Sequence, residues 1–400
     1  MQTWKRTFFF IWISQFISIL GFSFALPFAP YYIQELGVTD PVELRIWVSL
    51  FAAATPLALA IFSPLWGAAS DKYGHRLMML RANFSAVAVL VLMGSVRSVE
   101  ALIALRLLQG ALTGTFTASQ IMVAAHAPEA RSGRALGSLS AAVFSGAMCG
   151  ASLGGLFSSI FGFRTVFFIA AALLLISAVL ILLGTKDIPI EKTPPPIQGE
   201  VPVPQSTSRA AFMGALPILI LIAGVSYVRQ FDMAMMPLLV QEIHGQLEGV
   251  SIRTGALFAV SGIAGLLSSV YLGRLADRIH PSKIGCFSAF GAALTMIPQG
   301  LATAIWVMFP ARFAMMFCAG GLEATSQIWL SKMTPQKHKG MIFGWASTAR
   351  SLGWVLAPLT SGAIAAGYGI RPVYYVSAAL FLLTVPLILV TIRRTGKIPA

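Results

Sequence analysis

Charge is what this chain has least of. Only 10% of its 400 residues are Asp, Glu, Lys or Arg, against about 25% in an average soluble domain. Acids are scarcer than bases, 14 against 28, which leaves a net charge of +14. So few charges cannot hydrate a chain that is 57% hydrophobic with a mean hydropathy of +0.80, and a water-soluble globule is excluded. Disorder is excluded as well, because 27 Phe is the reverse of a disordered composition. Cysteine is nearly absent. Cys149, Cys286 and Cys318 stand singly in apolar stretches, which offers neither a disulfide framework nor a zinc site. His75, His126, His244, His280 and His338 lie at the ends of apolar runs and never pair at ligand spacing, so no metal and no cofactor is expected. There is no Walker loop, no His-Glu-x-x-His, no nucleophile elbow and no pair of catalytic carboxylates, so the sequence does not read as an enzyme. The bases fall in twos and threes, not in stripes among aromatics, so nucleic acid is not expected as a partner.

What the chain does have is apolar runs. A span needs about 20 mostly apolar residues. Twelve stretches meet that, at 8–33, 46–69, 77–96, 99–125, 135–160, 164–184, 211–241, 253–275, 283–301, 303–331, 340–366 and 371–392. The first is too long, and too poorly flanked by small residues, for a cleaved signal peptide. The reading is an all-α polytopic membrane protein with the lipid bilayer as its solvent. Charge then orients it. With the N-terminus inside, 19 bases fall in inner segments; only Arg45, Arg97, Arg164, Arg253 and Arg371 fall outside. Both termini are therefore expected in the cytoplasm. The one long hydrophilic stretch, Lys186–Arg209, carries six prolines and reads as an extended linker. It divides the chain into a bundle at 1–185, a cytoplasmic linker at 186–209 and a bundle at 210–400, six spans each.

The two bundles repeat one another at an offset of 206 or 207 residues. Pro30, Gln34 and Glu35 align with Pro237, Gln241 and Glu242; Gly67 and Asp71 with Gly273 and Asp277; Arg106 with Arg312. The run from Phe161 to Phe168 reads again from Tyr368 to Tyr375. Two related bundles in one chain can rock around a site at the bilayer midplane. That suggests an alternating-access carrier, and no filter loop argues for a channel.

Together these features resemble the major facilitator superfamily over essentially the whole chain. Within it the sequence looks most like the bacterial twelve-span drug:proton antiporters. The loop Gly67-Ala-Ala-Ser-Asp71-Lys72-Tyr-Gly74-His-Arg76 resembles the family's G-x-L-a-D-r-x-G-r-k loop, with a weaker copy around Asp277. In the family that loop latches one half to the other in the outward-open state. Arg106-Leu-Leu-Gln109-Gly110 resembles the R-x-x-q-G motif linked to proton coupling. The stretch from Gly146 through Gly150 to Gly154 and Gly155 is similar to the antiporter motif G-x-x-x-G-P-x-x-G-G, with Ala151 where the proline belongs. The repeat copy keeps the proline, as Pro358, and loses glycine. The resemblance implies a monomer in the bacterial cytoplasmic membrane that exchanges protons for a small-molecule substrate.

Charges deep in the spans are the part of the sequence nearest to mechanism, because each is costly there. They are Arg106, Arg229, Arg312, Arg350, Asp232 and Glu323. Matched depths, with spans 7 and 10 lining the cavity and spans 10 and 11 neighbours as the resemblance implies, give two expected pairs, Asp232 with Arg312 and Glu323 with Arg350, with Arg229 as an alternative partner for Asp232. A buried carboxylate held by arginine can act as a proton site; it can equally be a permanent ion pair. No acid in the first half lies deep, so Arg106 is expected to lack a carboxylate. Four deep cations against two anions predict a cavity that prefers neutral, zwitterionic or anionic cargo. Trp12, Gln15, Phe16, Phe24, Tyr31, Gln109, Gln120, Tyr227, Gln230 and Gln327 are the expected lining. The leading reading is a proton-coupled antiporter exporting small amphipathic molecules or drugs. Its rivals are an exporter of a specific anionic metabolite, such as a siderophore or lipid-like acid, and a passive facilitator.

Overall fold

The computed structural model describes residues 3–113, 119, 122–123, 129–185, 205–276, 279, 281–333 and 339–395. Among these residues the regular structure is entirely helical. The first half holds α1 (Thr3–Ala25), α2 (Ala29–Glu35), α3 (Pro41–Tyr73), α4 (His75–Ser95), α5 (Val99–Leu112) and α6 (Glu129–Gly184). The second holds α7 (Gln205–Phe231), α8 (Met236–His244), α9 (Val250–Ala276), α10 (Pro281–Leu301), α11 (Ile305–Met333), α12 (Lys339–Tyr368) and α13 (Arg371–Thr395). Nine stretches of the described residues are long and apolar enough to cross a membrane. One of them, Ala141–Gly184, is two spans joined end to end. The join is at Gly162, whose φ of 77° no helix contains. Its repeat counterpart Gly369 has φ 92° and separates α12 from α13. Glycine is suited to both positions because side chains with a Cβ rarely tolerate that conformation.

Helix starts follow local chemistry. Asp40 accepts a hydrogen bond from the Glu43 N–H at 2.7 Å, with Pro41 as the first helical residue, and so caps α3. Ser98 caps α5 through the Ala101 N–H. Gly74, at φ 91°, ends α3 by donating its N–H to Ser70 at 3.0 Å and starts α4 in the same turn.

The spans read as continuous helices over 8–33 and 211–241 are each broken. The first passes through a short 3-10 turn at Leu26–Phe28 before α2, and the second through a turn between Phe231 and Met236 before α8. Proline is the physical reason. Pro27 lies within the first break and Pro30 just after it, Pro237 follows the second, and each lacks the N–H that a continuing helix would use. Irregular backbone at membrane depth persists only where protein or a cavity surrounds it.

Within the first half α1 packs along α6 and α3 along α5; within the second, α7 packs on α12 and α10 on both α11 and α13. Among the described residues the halves meet most extensively where α6 packs on α9 and α3 on α12. At the first, a Cβ on Gly155 would come within 2.5 Å of the Ser251 carbonyl oxygen, and one on Gly255 within 2.6 Å of the Ala151 oxygen. Only glycine permits that approach. The main apolar core draws on both halves, from Phe24 and Tyr31 to Phe231 and Tyr374. Large apolar residues such as Phe287 and Trp306 stay exposed, at 72% and 81%, as a lipid-facing surface requires.

Candidate functional site

A cavity of about 250 Å³ lies between the halves. Both helix breaks line it: Leu26, Pro27 and Pro30 from the first, Gln230, Met233, Ala234 and Pro237 from the second. Phe22, Phe51, Phe258 and Pro358 supply apolar wall, and Arg106 supplies the one charged side chain. Gln230, expected in the lining, borders this cavity; so do Arg106, expected in proton coupling, and Pro358 of the antiporter-like repeat copy.

Arg106 is held by neutral groups. Its Nε donates to the Phe51 carbonyl at 3.3 Å, its Nη1 to Gln109 Oε1, and its guanidinium lies 4.3 Å from the Phe51 ring centroid. Among the described residues no carboxylate reaches it. The repeat shows why. Pro30 aligns with Pro237, an offset of 207, which puts Ala25 where the second half has Asp232.

The second half supplies the partner that Arg106 lacks. Asp232 and Arg312 are paired, and both side chains are completely buried. Arg312 also donates to Ser261 Oγ at 3.2 Å and to Met233 Sδ at 3.0 Å. One oxygen of the aspartate, Oδ1, is buried with no hydrogen-bond partner. An ion pair in this setting has lost its water on both sides and depends on geometry for its stability.

Glu323 corrects the expected pairing. It binds Arg229 and not Arg350, in a half-exposed pair. Arg229 therefore does not serve Asp232 either. It lies three residues before Asp232, but the helix ends at Phe231 and the two side chains part. Arg350 is left without a carboxylate among the described residues, close enough to Arg229 to repel it. Both deep acids are thus engaged, and the surplus positive charge rests on Arg106 and Arg350.

Other expected lining residues do different work. Gln15 is buried and accepts from Ser119 at 2.8 Å. Phe16 stacks on Trp12, which donates to the Ser138 carbonyl. Tyr227 meets Thr360 Oγ1 at 2.8 Å across α7 and α12. Tyr31 is no cavity wall: it is fully buried between the halves, donating to the Pro237 carbonyl at 2.8 Å with its oxygen 2.7 Å from Thr254 Oγ1. Gln120 and Asp277 lie outside the described residues, as do the side-chain positions of Gly67, Asp71 and Gln327. Elsewhere in the loop, Lys72 is exposed over the Tyr73 ring and Arg76 donates to the Leu182 carbonyl at 2.7 Å. Gly150 and Gly154 press on the Leu20 and Phe24 carbonyls of α1.

Sequence reasoning missed the seal. At the end of the bundles opposite the chain termini, Gln34 and Gln241 exchange two amide hydrogen bonds, each 2.9 Å. Arg45 donates to the Ala365 carbonyl at 3.0 Å, and the Tyr31 contacts lie just beneath. The signal was present, because Gln34 and Gln241 are repeat mates. Residues at equivalent places on two bundles related by a pseudo-two-fold axis can meet on that axis.

The sequence pattern of the Major Facilitator Superfamily matches residues 11–298 and 233–399. The chain is 33% identical to "Multidrug resistance protein MdtG" of Serratia proteamaculans (strain 568), covering 95% of this chain and 92% of that one. It is 31% identical to the protein of the same name from Proteus mirabilis (strain HI4320), over 95% and 94%. Among solved structures, a point mutant of the nucleoside transporter NupG superposes with a TM-score of 0.78 at 14% identity, covering 96% of this chain and 99% of that one. A bacterial homologue of the human lysosomal transporter Spinster, inward-facing and unoccupied, gives 0.69 at 15% identity, over 99% and 96%. Two helical halves around a shared cavity, with sequence likeness along nearly the full length, make this chain a member of the major facilitator superfamily.

Proposed function

We propose that the protein is a proton-coupled exporter of small amphipathic molecules, drugs among them, working by alternating access in the bacterial cytoplasmic membrane with both termini in the cytoplasm. The carrying observation is the fully buried Asp232–Arg312 pair beside a cavity between two halves. Ionised, Asp232 holds Arg312; protonated, it releases the arginine, and the two states favour different packings of α7 against α11. With the termini inside, the Gln34–Gln241 seal is the outer gate and cargo enters the cavity from the cytoplasm. The relatives named as multidrug resistance proteins support the export direction.

One observation favours a narrower cargo. Among the described residues Arg106 faces the cavity with no carboxylate against it, which suits an anionic amphiphile better than a lipophilic cation. Everted vesicles test both points. A proton gradient should drive accumulation of a fluorescent amphiphile, and Asp232→Asn should abolish the drive while binding persists. Undiminished uptake by that variant would remove Asp232 from the mechanism. Anions that compete better than cations would establish the narrower cargo.

A further inference from the structure

The second half holds buried polar atoms, one of them on Asp232, that no hydrogen bond among the described residues accounts for. Asp232 Oδ1, the Tyr374 hydroxyl, Gln299 Oε1 and Ser377 Oγ are all buried without a partner. The four residues are each 0% exposed. Buried polar groups of this kind cost free energy unless water or another group satisfies them, and roomy polar sites hold internal water. Three of the four sit on the packed helix pair α10 and α13. Tyr374 and Ser377 lie one turn apart on α13, and Tyr374 packs against Gly300, the residue after Gln299. Tyr374 also lies within electrostatic range of Asp232, Arg312 and Glu242 together.

Glu242 is the surface member of the group. It accepts from Arg371 Nε at 2.8 Å, and both side chains are partly exposed at the sealed end of the bundle. Arg371 also donates to the Gly300 carbonyl at 3.1 Å, which fixes the pair over the end of α10. Asp232 lies in the turn after α7, and Glu242 lies near the end of α8, which follows that turn. The buried Tyr374 is within electrostatic range of both carboxylates.

We propose that Tyr374 relays protons between the Glu242–Arg371 surface pair and Asp232, through internal water held by Gln299 and Ser377. The proposal rests on the reading of Asp232 as the titrating group. A proton arriving from the Glu242 side binds the Tyr374 oxygen as the hydroxyl's own proton passes to Asp232 Oδ1. The tyrosine returns to its starting state by rotation, and no charge is stranded. The charged groups facing this path are Glu242, Arg371, Asp232 and Arg312. The path lies within one half and needs no opening of the gate, so protons and cargo take separate routes.

Time-resolved infrared spectroscopy of the full chain in lipid, after a jump to acid pH, separates the two ideas. Wild type should show a carboxylic-acid band that Asp232→Asn removes. In Tyr374→Phe the band should reach the same final amplitude but rise more slowly by roughly 10²-fold, the low end of what a positioned proton-transfer group contributes. Glu242→Gln should slow it as well, and serves alone if Tyr374→Phe does not fold. A wild-type rise rate in both variants would overturn the relay and leave Asp232 in place. A smaller final band in Tyr374→Phe would also overturn it, by making the tyrosine a structural support. No band lost in Asp232→Asn would remove both the relay and its destination.

Discussion

At the scale of single residues, burial decides what each ion pair is worth. Asp232 and Arg312 are wholly buried, so Asp232→Ala leaves an uncompensated charge, a loss of about 3–5 kcal/mol. The Glu323–Arg229 pair is 40% and 23% exposed at its two side chains, and Glu323→Ala should destabilise by less than about 1 kcal/mol. Thermal unfolding in detergent should rank the two in that order. Arg106 makes a different prediction. Arg106→Gln keeps a polar group beside Gln109 but removes the cavity's charge, so competition by anions should weaken while neutral amphiphiles are unaffected. Equilibrium binding across a set of matched anionic and neutral probes measures it. The sequence disclosed the first pair and misassigned the second for a single reason. Depth along a span is countable from residue numbers, but the direction a side chain takes around the helix is not. For Asp232 the two agreed; for Glu323 the helix faces Arg229.

At the scale of helices, the informative elements are the two that stop and start again. Their proline positions were visible as a repeat, yet an apolar run hides a break, because hydropathy carries no information on backbone direction. The breaks were therefore read as helix, although they form the cavity wall. The close contact of α6 with α9 was half legible. Glycines in the antiporter-like stretch signalled tight packing, but not that Gly155 meets the opposite half while Gly150 and Gly154 meet α1. Gly255→Leu tests that contact. Its side chain has no room against the Ala151 carbonyl, so α9 must move away and the sealed end must loosen. Spin labels at Asp40 and Leu247, in a variant lacking the three cysteines, should report a longer distance than in the parent.

At the scale of the whole molecule, the seal is a small set of hydrogen bonds joining two large bodies, and its strength sets the balance between open and closed. Tyr31→Phe removes the hydroxyl that reaches both Pro237 and Thr254 and leaves those groups without that partner. The loss is about 1–3 kcal/mol, enough to shift the ratio of the two states roughly 5- to 150-fold. The same spin-label pair should show the open population rising. The two-bundle plan was legible at this scale because repeats and charge asymmetry are summed over many residues, while the seal depends on five hydrogen bonds.

The repeat was not kept equal. In the second half an arginine and an aspartate hold one another out of reach of cargo; in the first, the corresponding arginine faces the cavity and an alanine stands where the acid would be. Under the proposed function, energy input and chemical recognition are therefore inherited separately. Substitutions around Phe51 and Arg106 can redraw what the protein recognises without touching the residues that surround Asp232. A lineage built this way can change its cargo quickly while its engine stays the same.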